Sequence, residues 1–248
     1  MENLIEKAAL KIKNSKLTIA LTGAGISVES GIPPFRGKGS LWEKFDPMKY
    51  AEINYFLNNP KEVWEVFLKD MEKTLKNANP NPGHKGLFEL EQKGLLTTII
   101  TQNIDGLHQK AGSSDVIEFH GSFANFYCME CFEQVDLEGL DLSQIPPRCK
   151  KCNGILRPDC VFFGEMIPQN ALERAGMLAS QCEVVIVIGT SALVQPAASI
   201  PVAAKTSKAF VIEINPEPTP LTDSIADITL LGDAGSVMTD LLIEIETL

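Results

Sequence analysis

The chain has 248 residues, 44% of them hydrophobic and 22% charged, a balance that fits a folded globular protein and excludes a disordered or fibrous one. Its formal net charge of −10 argues against direct nucleic acid binding, which needs clustered lysine and arginine to displace counterions. The longest near-apolar stretch, from Val184 through Val194, is too short to cross a bilayer, and Glu2, Glu6 and Lys7 stand where a signal peptide would be apolar, so no membrane association and a cytoplasmic location are expected.

From Glu2 to Ser15, the residues Leu4, Ile5, Ala8, Ala9 and Ile12 recur at helical spacing and lead into a strand, Leu17–Leu21. Comparable runs rich in Ile and Val lie at Thr97–Thr101, Val184–Gly189, Ala209–Ile214 and Ile225–Leu231, with helix-like segments between them. Runs apolar on both faces belong to strands covered by helices on each side. The fold class is therefore α/β, a largely parallel, doubly wound sheet whose ligands sit at the carboxyl ends of the strands.

Two stretches interrupt that alternation. Leu41 to about Leu90 reads as helices, with an apolar stripe of Val63, Trp64, Phe67, Leu68 and Met71, while Cys128 to Cys152 has four cysteines and little core-forming material. The expected layout is a large lobe over residues 1–37, 91–120 and 161–248, with a helical insertion at 38–90 and a metal-ribbon insertion at 121–160 forming a small lobe over the strand ends. Cys128-x-x-Cys131 and Cys149-x-x-Cys152, separated by 17 residues, match a zinc ribbon. Four thiolates complete a tetrahedral shell with no open position, so the metal is structural; the alternative, a pair of disulfides, lacks a secretory context. Cys160 and Cys182 read as core filling.

Gly23-Ala24-Gly25 follows the first strand but misses the third small residue of the dinucleotide fingerprint, where Val28 stands. A second strand-end loop, Gly189-Thr190-Ser191, offers amides and hydroxyls to the same phosphates, and Asn215-Pro216-Glu217 offers polar groups to a ribose. Thr101 to Asp105 places an amide and a carboxylate at the same edge. Of three histidines, His84 and His108 read as structural. His120 ends the run Val116–Phe119, directly before Gly121, where its ring can meet a ligand.

Taken together and in this order, GAGISVESGIPPFRG from Gly23, TQNIDGLHQKAG from Thr101, EFHG from Glu118, the paired Cys-x-x-Cys motifs, VFFGE from Val161, GTSALVQPAAS from Gly189 and INPEP from Ile214 resemble the sirtuins, NAD-dependent protein lysine deacylases. The resemblance spans Leu17 to about Gly235 and is greatest to small prokaryotic members. It implies a Rossmann-type lobe, a smaller lobe with structural Zn2+, and NAD+ cleaved as a co-substrate in the cleft between them.

Carried over residue by residue, it implies NAD contacts at Gly23, Ala24, Gly25, Ile32, Phe35 and Arg36, at Gln102, Asn103, Ile104 and Asp105, and at Gly189, Thr190, Ser191, Asn215, Pro216, Glu217 and Ala234. Ile32–Arg36 would be a flap, with Phe35 shielding the reactive sugar carbon from water and Arg36 near the phosphates. Asn103 and Asp105 would position the nicotinamide and ribose, and His120 would be the general base. The products implied are nicotinamide, deacylated lysine and 2'-O-acyl-ADP-ribose. An acyl-lysine peptide would pair with Val161, Phe162, Gly164 and Glu165, facing Leu193 and Val194. Pro34 stands where relatives commonly have Asp or Thr, which would stiffen the flap. Members acting on acidic acyl groups carry a Tyr and, three residues later, an Arg; Phe67 and Asp70 align there, so neutral acyl groups are expected. Two rivals are protein ADP-ribosyl transfer and a non-enzymatic NAD-sensing module.

Overall fold

The computed structural model describes residues 2–35 and 39–248. Six strands, β1 (Thr18–Thr22), β2 (Thr98–Thr101), β3 (Val116–Glu118), β7 (Val184–Ile188), β8 (Phe210–Asn215) and β9 (Ile228–Leu231), form a parallel sheet in the order β3-β2-β1-β7-β8-β9. All five residues of β1 and of β7 are buried, as strands with both faces covered must be. The sheet reverses its strand order between β1 and β7, and that reversal opens a crevice at the carboxyl ends.

The two faces divide the strand residues by parity. Ala20, Ile186 and Ile212 face the helices Glu2–Asn14, Pro82–Gln92 and Ala234–Thr247, which contribute Ile12, Leu87 and Leu241. Leu21, Val187 and Val211 face Gln169–Gln181 and Ser199–Thr206, whose Ala175, Ala179 and Ala204 allow close approach.

A third core lies above the strand ends. The antiparallel strands β4 (Gly121–Cys128), β5 (Gln134–Asp136) and β6 (Leu156–Cys160), in the order β5-β4-β6, share it with short helices between Leu41 and Asn77. Trp64, fully buried, stacks its ring near Phe126 and donates its indole N–H to the Leu156 carbonyl at 3.1 Å. That bond satisfies the one polar atom of the largest side chain in this core and ties the helices to the ribbon.

The packing corrects the expected boundary of the helical insertion. Pro82–Gln92 buries Leu87 and Leu90 in the large core and packs against Ala234–Thr247, so the helices of the small core end at Asn77. Pro82 at the first helical position and Asn81 as N-cap, accepting from Gly83 N–H at 2.9 Å, begin this helix anew.

Candidate active site

A cavity of about 1180 Å³ lies between the parallel sheet and the third core, at the carboxyl ends of β1, β2, β7 and β8. Its floor comes from four strand-end loops, Gly23–Gly25, Gln102–Ile104, Gly189–Ser191 and Asn215–Glu217. Two of these loops interlock. Gly25 N–H donates to Gly189 O at 2.8 Å, a Cβ on Gly25 would lie 2.6 Å from Gly189 Cα, and Gly189 has φ +62°. Glycine at both positions is what lets the two backbones touch. The Asn215–Glu217 loop is fastened from below by Glu213, fully buried in β8, whose carboxylate accepts hydroxyls from Thr219, Thr222 and Thr229.

Asn103 is buried in the cavity wall. Its Nδ2 donates to Gly23 O and to Ser27 Oγ, both at 3.1 Å; since a carbonyl only accepts, this fixes the amide orientation. Oδ1 then has no partner among the described residues. A buried acceptor left unpaired is costly unless a ligand donor meets it, and a carboxamide N–H is such a donor. A nicotinamide group therefore fits this wall.

Behind Asn103 runs a hydrogen-bonded chain. His84 Nδ1 accepts from Asn81 N–H at 3.4 Å, which leaves the ring proton on Nε2, facing Ser27 Oγ at 3.3 Å. Receiving hydrogen bonds from His84 and Asn103, the Ser27 hydroxyl donates to Asp105 Oδ2 at 2.7 Å. Burial pushes the Asp105 carboxyl above the usual range, and the Ser27 bond opposes that shift. Burial also lowers His84 to about 4 and His108 to about 3, so both rings are neutral at pH 7. Neither lines the cavity.

His120 does line it. Its Nδ1 lies 2.9 Å from Gln102 O, a pure acceptor, so the ring proton sits on Nδ1 and Nε2 keeps its lone pair. Burial lowers its pKa, outweighing the opposing effect of the Gln102 bond, and the ring is a free base at neutral pH.

The small-core side of the cavity is apolar: Trp42, Phe67, Leu68, Met71, Phe123 and Phe162. Phe35 packs its ring 5.3 Å from that of Trp42. Here the structure corrects one expectation. Asp70 is half exposed, pairs with Lys44 at 3.1 Å and is not part of the wall. The chain makes a π-turn at Trp64–Leu68 before the helix Lys69–Asn77, and on the next turn the residue that reaches the cavity is Met71, four positions after Phe67 rather than three.

Of the other expected contacts, Ala24, Phe35, Ile104, Thr190, Ser191, Pro216 and Ala234 line the cavity, as do Val161, Gly164, Glu165 and Val194. Ile32 is buried in the small core, Asp105 sits behind Asn103, and Leu193 is exposed outside the wall. Arg36 lies outside the described residues. Sequence reasoning missed Ser27, which links Asn103 and Asp105 to His84, and Trp42; an aromatic shortly after Phe35 was the available signal for the latter.

The four cysteines of the ribbon bring their Sγ atoms within 4.8 Å of one another. Cys128–Cys152 and Cys131–Cys152 are 3.3 Å apart and Cys131–Cys149 3.7 Å, near the roughly 3.8 Å edge of a tetrahedron with Zn–S of about 2.3 Å. These spacings exceed a disulfide bond, and N–H groups of Glu130, Lys151 and Gly154 reach the sulfurs two residues before them at 3.4 Å. The donor set fits a closed structural zinc site.

Comparison with known proteins agrees with this geometry. The Sir2 family pattern matches residues 23–196. An NAD-dependent protein deacylase 1 of Archaeoglobus fulgidus is 46% identical over 237 residues, covering 96% of each chain. A solved Sir2 homolog–NAD complex superposes with a TM-score of 0.90 at 45% identity, covering 98% of this chain and 94% of the other. A solved Sir2–p53 peptide–NAD+ complex has a TM-score of 0.87 at 36% identity, covering 98% and 99%. With a doubly wound sheet, a four-cysteine ribbon and a neutral histidine lining the cleft, and with relatives matched almost end to end, the chain belongs to the Sir2 family.

Proposed function

We propose that the protein is an NAD-dependent protein lysine deacylase that converts an acyl-lysine peptide and NAD+ to free lysine, nicotinamide and 2'-O-acyl-ADP-ribose. The observation that carries this reading is the pairing, in one cavity, of a free imidazole base with a buried, unpartnered amide oxygen: His120 Nε2 and Asn103 Oδ1. The dinucleotide, when bound, supplies a ribosyl carbon from which nicotinamide departs and to which the acyl oxygen adds.

The chain's own residues supply the rest. The main-chain N–H groups of Ala24, Thr190 and Ser191, which have no partner among the described residues, form a cradle for phosphates without needing a basic side chain. Asn103 receives the carboxamide, with Asp105 and Ser27 holding its orientation. His120 Nε2 accepts the proton of a ribose hydroxyl, and Nδ1–H donating to Gln102 O stabilises the imidazolium that results. Phe35 and Trp42 close the apolar side and keep water from the reacting carbon.

Phe67, Leu68 and Met71 favour neutral acyl groups; no Lys or Arg lines the cavity among the described residues, so a succinyl carboxylate meets no cation there. The large lobe, on this reading, comprises the parallel sheet with its flanking helices, and the small lobe the helices from Leu41 to Asn77 with the ribbon. No helix among the described residues is long and apolar enough to cross a membrane.

The test is incubation with NAD+ and acetyl-, butyryl- or succinyl-lysine peptides, followed by mass spectrometry. Acyl-ADP-ribose from the neutral acyl peptides is the expected product. Efficient desuccinylation refutes the acyl assignment, and ADP-ribose retained on protein without acyl-ADP-ribose favours the transferase rival.

A further inference from the structure

Arg157 stands in β6 as one residue of Leu-Arg-Pro-Asp-Cys, with only 5% of its side chain exposed. A guanidinium is almost never buried without partners, so its donors reveal what it holds. Nη1 and Nη2 grip Glu165 Oε1 and Oε2 at 2.8 and 2.7 Å, a two-pronged pair that fixes distance and plane together. Nη2 also donates to Cys160 O at 2.9 Å and Nε to Pro158 O at 3.3 Å, and the guanidinium lies 4.7 Å from the centre of the Phe162 ring. Four of its five N–H groups are thereby used.

These bonds enclose the segment Val161–Glu165. At its start, Arg157 holds the Cys160 carbonyl and Val161 N–H donates to His120 O at 2.8 Å. At its end, the Glu165 carboxylate turns back to accept Phe162 N–H at 2.9 Å while Glu165 N–H reaches Phe162 O at 3.0 Å. One edge of the segment is already paired: Phe163 N–H donates to Ala51 O at 2.7 Å, and Phe163 O accepts from Ile53 N–H at 3.0 Å. What stays unpaired among the described residues is the Val161 carbonyl, both main-chain groups of Gly164 and the Glu165 carbonyl, on a segment that lines the cavity. An extended peptide that adds to this edge must find those groups in register, because main-chain pairing is where its affinity comes from.

We propose that Arg157 is the positioning residue of the peptide edge: through Glu165 and Cys160 it presets which main-chain groups of Val161–Glu165 are free for the acyl-lysine peptide. The role rests on the deacylase reading, and it predicts a defect confined to the peptide. Arg157 touches no part of the four loops that floor the cofactor side of the cavity. Lysine at this position keeps the charge but cannot span two carboxylate oxygens and a carbonyl in one plane.

The experiment compares wild type, Arg157→Lys and Glu165→Gln with an acetyl-lysine peptide, varying peptide and NAD+ separately and monitoring zinc content and Tm. Wild-type turnover tests the deacylase reading by itself; its absence would sink that reading, whatever the variants do. Given turnover, the inference expects peptide KM to rise roughly tenfold to a hundredfold in both variants, the range of charged hydrogen bonds lost, with NAD+ KM within about twofold and zinc retained. An unchanged peptide KM in Arg157→Lys overturns it. A parallel rise in NAD+ KM, or loss of zinc, also overturns it, since that is what a general structural prop would give.

Discussion

The interlock of Gly25 with Gly189 lets steric contact be separated from backbone conformation by three alanine substitutions. At Gly25 a Cβ would lie 2.6 Å from Gly189 Cα, while ordinary contact begins at 3.4 Å, so the loops must part by about 0.8 Å. The same movement stretches the 2.8 Å Gly25 N–H to Gly189 O bond to about 3.6 Å, outside hydrogen-bonding range. Overpacking together with one lost buried bond costs about 2 to 4 kcal/mol, a fall in Tm on the order of 10 °C for a chain of this length. Gly31 is the control, since at φ +82° a Cβ would meet nothing within 4 Å. Gly31→Ala bears only the left-handed penalty of about 1 to 2 kcal/mol and leaves the loops in place. Gly189→Ala bears both costs, with a Cβ 2.3 Å from Ile26 N. Thermal melts and nicotinamide release over an NAD+ titration should rank Gly31, Gly25 and Gly189 in increasing severity, with NAD+ KM raised at least about tenfold only for the last two. A Gly25→Ala protein with wild-type Tm and NAD+ KM would refute the interlock as the support of the phosphate cradle.

Replacing His120 by Asn should abolish deacylation and leave NAD+ binding largely intact, as equilibrium dialysis would read; loss of both would move His120 from base to scaffold. Because burial lowers the His120 pKa, its basic form persists below pH 6.5, and the acid limb of kcat/KM should fall at a lower pH than for a free imidazole. His84 and His108, lowered to about 4 and about 3, bind protons in the unfolded chain before the folded one. Their contribution is complete above pH 6.5 and falls as pH drops toward those values, by up to about 1.4 kcal/mol per pH unit for each; urea melts at several pH values should show a shallower acid loss in His108→Asn. Stripping the metal from the ribbon should release one zinc per chain and end peptide turnover with a lowered Tm, whereas full activity of metal-free protein would show that the small core stands without it.

The sheet was legible because Ile and Val runs such as Val184–Ile188 are apolar at every position, and their short length and β-branched content favour a twice-covered strand over a buried helix. The observed strands begin and end within a few residues of those runs. The small core was less legible. Amphipathic spacing tells which face of Pro82–Gln92 is buried but not which core buries it, and the answer came only from Leu87 and Leu90 meeting Ala234–Thr247. The π-turn at Trp64–Leu68 leaves no mark in the composition; periodicity places Met71 on the apolar stripe, and Asp70 was expected at the pocket only because it aligns with the relatives' Tyr and Arg spacing.

The candidate site divides the same way. Gly23–Gly25, Gln102–Asp105 and Gly189–Ser191 announce themselves because glycine and small polar residues directly after an apolar strand have few uses other than turning the chain and presenting amides. His84 and Arg157 give no such signal, and Ser27, though it stands inside the first of those motifs, has nothing beside it that names its partners. Ser27 matters through a histidine 57 positions away, and Arg157 through a carboxylate eight positions on that lies on the other side of a turn. In each case the residue that would touch the ligand is written in a local motif, and the residue that aims it is recruited from elsewhere in the chain. That division has a physical cause. A contact residue must sit at a strand end, where sequence context is fixed, whereas an orienting hydrogen bond can come from any element that packs within about 3 Å and is constrained by geometry alone.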